Sequence, residues 1–128
     1  MHILTHKRID RTLVGKPLFM SNGVSRVELL TTAAMAADDA GLVHGGFIFG
    51  LADYAAMLAV NHPHVVLGGA EVKFLLPVRV DRTITAHAQT REISGKKHMV
   101  SVTLKCGDEA VFHGTFTCFV LDKHVLSP

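Results

Sequence analysis

Between Asp39 and Glu71 the only acidic or basic side chain, histidines aside, is Asp53, and it stands in the middle of the apolar run Gly46 to Asn61. An unpaired carboxylate in such surroundings is expensive to ionise, so it must be paired, protonated or used. Used, it takes a proton from water or attacks an electrophilic carbon. The plainer account is that Asp53 accepts hydrogen bonds across a helix–helix seam and fixes its register. Upstream lies Val43-His44-Gly45-Gly46. Glycine lets a ligand carbonyl reach the backbone, and the first turn of a helix presents N–H groups with no internal partner at the positive end of its dipole. Gly45 and Gly46 are therefore candidate donors to a developing oxyanion, although two glycines also simply permit a tight helix entry.

Gly46 and Asp53 are seven residues apart, nearly two helical turns, so they share a face but lie roughly 10 Å apart along the axis. One reacting carbon cannot meet both on the same helix. Two such helices packed antiparallel bring Gly46 of one subunit to Asp53 of the other, so the expected site is shared between protomers.

The elements that must hold these groups follow from periodicity. Gly46 to Asn61 reads as one long helix, rich in Ala, Leu and Met and ended by Pro63. It is apolar around nearly its whole girth, so other structure must enclose it. Gly23 to Thr31 reads as a strand before it. After it, Ala70, Val72, Phe74 and Leu76 alternate with Glu71 and Lys73, and similar alternation runs through Ile84 to Gln89 and Val100 to Lys105. These predict three half-buried strands. Ala110 to Leu121 is a fourth, with turns at Ser94-Gly95-Lys96 and Gly107-Asp108. The expectation is an α+β chain in the hotdog arrangement: an antiparallel sheet with its apolar face around one helix.

Composition limits the alternatives. The 128 residues fit one domain, with a core from about residue 23 to 121 and a short N-terminal extension. Hydrophobic residues make up 48% and charged ones 19%, more apolar than a small monomer needs, so burial between subunits is expected. A net charge of +2 and no basic run longer than Lys96-Lys97 argue against nucleic acid. Met1 to Arg11 lacks a secretory core, and the stretch Ala40 to Ala70 is broken by glycine pairs, so a cytoplasmic protein with no membrane span is expected. Cys106 and Cys118 have no metal or redox spacing. His62-Pro63-His64 suits neither a helical ligand pair nor a Cys/His array, so no metal is expected. His87 and His113 fall on polar strand faces.

The segment His44-Gly45-Gly46-Phe47-Ile48-Phe49-Gly50-Leu51-Ala52-Asp53 resembles the signature of hotdog-fold acyl-CoA thioesterases of the phenylacetate-pathway, PaaI-like branch, with His-Gly-Gly and an acid nine residues after the His. The resemblance runs from about Gly23 to Leu121. It includes Val72-Lys73-Phe74-Leu75-Leu76-Pro77 and the Asp81-Arg82 turn. It implies hydrolysis of an acyl-CoA by an obligate homodimer or homotetramer, with Asp53 as general base or nucleophile. Gly45 or Gly46 would polarise the thioester carbonyl, and His44 would flank the acyl group. No cofactor is implied, because coenzyme A is part of the substrate.

Relatives often carry an Asn six residues before the His and a Ser or Thr on the strand after the helix, to hold the water. Asp38 and Leu67-Gly68 occupy those places here, leaving Asn61 or Asp38 as candidate water anchors. The phosphates of coenzyme A call for cations at the mouth of the site: Lys96 and Lys97 first, then Arg79, Arg82 and Arg91. Phe47, Phe49, Tyr54, Met57 and Phe74 are apolar candidates for the acyl pocket or the core. Two other readings fit the same residues: a non-catalytic acyl-CoA sensor, and a hydratase or dehydratase of acyl thioesters.

Overall fold

The computed structural model describes Met1–Pro128. Alternating side chains build the sheet. Along β2 (Val24–Leu30), β4 (Thr83–Ser94), β5 (Lys97–Cys106) and β6 (Glu109–Val120), one face is buried and the other meets solvent. With β1 (Lys16–Ser21) and β3 (Val65–Phe74) they form one antiparallel sheet in the order β1-β2-β4-β5-β6-β3. The turns at Gly95-Lys96 and Gly107-Asp108 use glycines at φ +59° and +61°, a conformation that suits a two-residue hairpin loop.

α2 (Gly45–Val60) crosses the buried face. Small residues let it come close: Ala52, Ala55, Ala56 and Ala59 of the helix and Ala86 and Ala88 of central strand β4 are all buried. A buried hydroxyl reinforces the contact, with Ser25 Oγ donating to the Ala55 carbonyl at 2.6 Å. This is the hotdog fold expected from the sequence.

Two features differ from the expectation. β1 and the short helix α1 (Arg11–Val14) precede the first foreseen strand. β1 holds Pro17 and a register shift between Pro17 and Phe19, and that bulge erases the alternation by which a strand is read. The second concerns β3. Of its alternating residues only Val72 is half-buried against the core in this chain: Ala70 is exposed, Phe74 is 55% exposed, and Leu76, beyond the strand's end, is 43% exposed. β3 is an edge strand bonded only to β6, and α2 lies mainly over the strands on the other side of it.

The N-terminal segment is clipped to the end of α2 by Asn61. This residue caps the helix in the left-handed conformation (φ 49°, ψ 58°). Its Oδ1 accepts from the Leu4 amide and its Nδ2 donates to the His2 carbonyl, both at 2.9 Å. Asn61→Ala is expected to lower unfolding free energy by about 2 kcal/mol in urea titrations, through two lost bonds and an unfavourable αL alanine. Asn61→Gly, which keeps the backbone favourable, should cost less.

Candidate active site

α2 positions both groups that the sequence singles out. Its apolar residues fix the rotation of the helix, and Asp53 falls on the flank toward β6. There Phe49, one turn earlier, packs on Phe116 with ring centroids 5.5 Å apart. Asp53 Oδ1 is buried and has no hydrogen-bond partner, and Asp53 forms no ion pair. Burial alone raises its pKa to about 6. Cys118 of β6 feels the same place: burial first, then the Asp53 charge, push its thiol up to about 12. Cys118 is therefore an inert neighbour that keeps the carboxylate's surroundings apolar.

The raised pKa carries a stability cost with a definite sign. Folded Asp53 binds its proton more tightly than the unfolded residue, so the contribution is complete below about pH 3.8 and is lost as pH rises through about 6. Two pKa units correspond to roughly 3 kcal/mol. Denaturant titrations are expected to show stability falling over that window. In Asp53→Asn this contribution should be absent and the chain more stable than the wild type at pH 7.

At the N-terminal end of α2, His44 is the N-cap and its side chain makes no capping bond. The Phe47 amide donates to the His44 carbonyl, while the amides of Gly45 and Gly46 have no acceptor in the chain. The glycines are matched to their surroundings. A Cβ at Gly46 would stand 3.0 Å from the His44 ring, and one at Gly45 would stand 3.3 Å from Phe74 Cε1. Beside them opens a groove of about 230 Å³ lined by Leu42, Ile48, Phe74, Leu75, Leu76 and Val78 among others. A second recess shares Leu76, Pro77 and Val78 and adds Arg79 and Arg82. Free amides, apolar groove and two guanidinium groups thus gather at one end of the fold.

The remaining candidates are dispersed. Lys96 and Lys97 lie at the β4–β5 turn, where Lys97 pairs with Phe119, while Phe74 pairs with Phe112. Seven positions along β6 separate the two ends, roughly 24 Å. Lys96 Nζ binds Asp122 at 2.8 Å. Asn61, at the far end of α2, has both side-chain polar atoms engaged by the N-terminal segment. Asp38 Oδ1 accepts from the Ala40 and Leu42 amides in a local turn. Arg91 lies on a groove of the outer sheet face. Of the apolar candidates, Tyr54 and Met57 are core, Phe47 and Phe49 are partly buried, and Phe74 alone lines the groove.

Leu42 and the run Leu75 to Val78 were not foreseen as a groove, because nothing in their spacing says which apolar residues stay uncovered. The strand after α2 carries no hydroxyl at Gly68. The β3 register shifts there, and a Cβ would collide with the Phe119 ring. No helix of the chain is long and apolar enough to cross a membrane.

Comparison with known proteins supports the fold. The chain is 53% identical over 123 residues to a protein of Aquifex aeolicus named methylthioribose-1-phosphate isomerase, covering 95% of this chain but 27% of that protein. It is 31% identical over 85 residues to the transcription factor FapR of a Thermoanaerobacter species, covering 66% of this chain and 42% of the relative. The chain thus spans less than half the length of both curated relatives. Among solved structures, an uncharacterized protein of Pyrococcus horikoshii is 53% identical with a TM-score of 0.98, covering 99% of this chain and 98% of that one. A mutant of the phenylacetic acid degradation protein PaaI of Thermus thermophilus is 27% identical with a TM-score of 0.79, covering 85% and 95%. The sequence model of the thioesterase superfamily matches residues 40–113, which contain α2, the glycine pair, Asp53 and β3 to β5. On that match and that fold, the chain belongs to the thioesterase superfamily.

Proposed function

We propose that this chain hydrolyses acyl-CoA thioesters as a dimer joined along β3, with Asp53 of one protomer facing Gly45 and Gly46 of the partner subunit. The observation that carries this reading is the half-buried Asp53 carboxylate, its Oδ1 enclosed without a hydrogen-bond partner, in a helix whose own free amides lie two turns away. As general base, Asp53 takes a proton from water while the water oxygen attacks the thioester carbon. The negative charge on the former carbonyl oxygen meets the glycine amides, where fixed donors lower the barrier most. The C–S bond then breaks, and the sulfur leaves with the proton held on Asp53, restoring the carboxylate. Direct attack by Asp53, through an anhydride that water opens, uses the same groups.

Several observations support the paired assembly. β3 offers an unpaired edge flanked by exposed Phe74, Leu75 and Leu76, a combination that folded proteins cover. The chain exposes 7373 Å², against roughly 6,600 Å² expected for a monomer of this mass. Antiparallel β3–β3 pairing also carries the Lys96-Lys97 end of one protomer toward the glycine end of the other, where Arg79 and Arg82 stand, so all four cations can serve the coenzyme A phosphates.

A second reading, binding without cleavage, is favoured by the absent hydroxyl at Gly68 and by the likeness to FapR, a transcription factor. Free thiol followed over a panel of short, aromatic and long-chain acyl-CoAs separates the two. Hydrolysis predicts release with at least one member of the panel. Tight binding of an acyl-CoA with no release from any would replace the proposal by the sensor, and hydration of an enoyl-CoA would replace it by the hydratase.

A further inference from the structure

The sheet face turned away from α2 carries an unusual row. Register pairs Phe19 with Arg26, Arg26 with His87, His87 with Thr103, Thr103 with His113, and His113 with Lys73, one residue from each of the six strands. Adjacent strands stand about 4.8 Å apart, so the row sets Arg26 next to His87 and Lys73 next to His113, with no carboxylate between them. The Arg26 guanidinium lies 5.8 Å from the centre of the Phe19 ring, and His113 Nδ1 is 3.1 Å from Thr103 Oγ1.

Above the β2 end of this row is a groove of about 320 Å³. Arg26, His87 and Arg91 line it with the neutral groups of Gln89, Ser101 and Thr103. Arg91 stands on this face by simple alternation with His87 and Gln89 along β4. The nearest acids on the face are Glu28, opposite Lys16 and Thr85, and Glu92, next to Arg91 in sequence and opposite Met99, while Glu71 lies farther off, opposite Thr115. None of the three forms an ion pair, since the chain's one salt bridge joins Lys96 to Asp122. Burial first, and then the charges of Arg26 and Lys105, hold the His87 pKa below its ordinary value.

A groove with two forked guanidinium groups and a histidine, none of them ion-paired, and three neutral side chains able to donate hydrogen bonds matches a tetrahedral dianion. We propose that this groove binds the phosphate group of a small phosphorylated ligand, with Arg26 and Arg91 as the main donors and His87 completing the site. It lies on the opposite side of the sheet from α2 and does not depend on the reading of Asp53. Phe19, 44% exposed at the end of the row, offers a ring on which a nucleotide base can stack.

The test uses the intact protein, with the imidazole resonances of His87 followed by NMR during titration with inorganic phosphate and with AMP, against chloride at equal ionic strength. Saturable binding is expected, with His87 holding its proton to higher pH when the anion is bound. Affinity should fall about tenfold or more in Arg26→Gln and in Arg91→Gln, each of which removes charge-assisted bonds. Tighter binding of AMP, with a shift at Phe19, would assign the site to a nucleotide phosphate; equal affinity would assign it to free phosphate. A response to phosphate no different from that to chloride would overturn the proposal. So would unchanged affinity in both variants.

Discussion

Asp53→Asn is expected to reduce thiol release from the preferred acyl-CoA by about a hundredfold or more, with most of the loss in kcat. The amide preserves the shape of the side chain but cannot accept a proton from water or attack a thioester. Misfolding would not explain the loss, because the same change relieves the cost of a buried charge. The variant should therefore be more stable than the wild type at pH 7. Activity of the wild type should rise with pH through an apparent pKa near 6 and level off above it, following ionisation of Asp53. An Asp53→Asn protein that keeps a tenth or more of the wild-type rate would remove this residue from the chemistry.

The second large effect is recovery of activity on mixing. Gly46→Val places a branched side chain against the His44 ring, where even a Cβ stands 3.0 Å from it, and covers the free amides. Each variant alone should be nearly inactive. When the Asp53→Asn and Gly46→Val proteins are unfolded together and refolded at equal concentrations, about half of the dimers are mixed, and each mixed dimer holds one intact site. Roughly a quarter of wild-type activity should return, starting from about a hundredth in either parent. Failure to exceed the parents, with mixed dimers demonstrated by mass spectrometry, would place both groups of a working site in one chain. That outcome conflicts with the separation of Gly46 and Asp53 along α2.

Both tests were conceivable from the sequence because its one discordant residue is so visible. A single carboxylate in sixteen helical residues stands out against an apolar background, and a glycine pair at the helix start needs no tertiary information to imply free amides. The residues that surround them were not legible in the same way. Phe49, Tyr54 and Phe74 all look like core aromatics in one dimension. Only the packing shows that Tyr54 is enclosed, that Phe49 leans on Phe116, and that Phe74 stands half in solvent over Gly45. Asn61 has the chemistry of a water anchor, but its amide is engaged by backbone groups 57 and 59 residues away in sequence, a pairing that local pattern cannot reveal.

The sequence by itself determined the strands with clean alternation, the long apolar helix, the hairpin turns at Gly95 and Gly107, and the oddity of Asp53. All of these are local, written in period and side-chain type within a few residues. Tertiary structure decided which strand lies at the sheet's edge, which cations gather near the glycine end, and that a bulge puts Phe119 where a side chain at Gly68 would go. The physical reason is that alternation fixes which residues share a face, whereas strand order and register shifts come from hydrogen bonding between distant segments. One added residue in a strand reverses every face assignment beyond it.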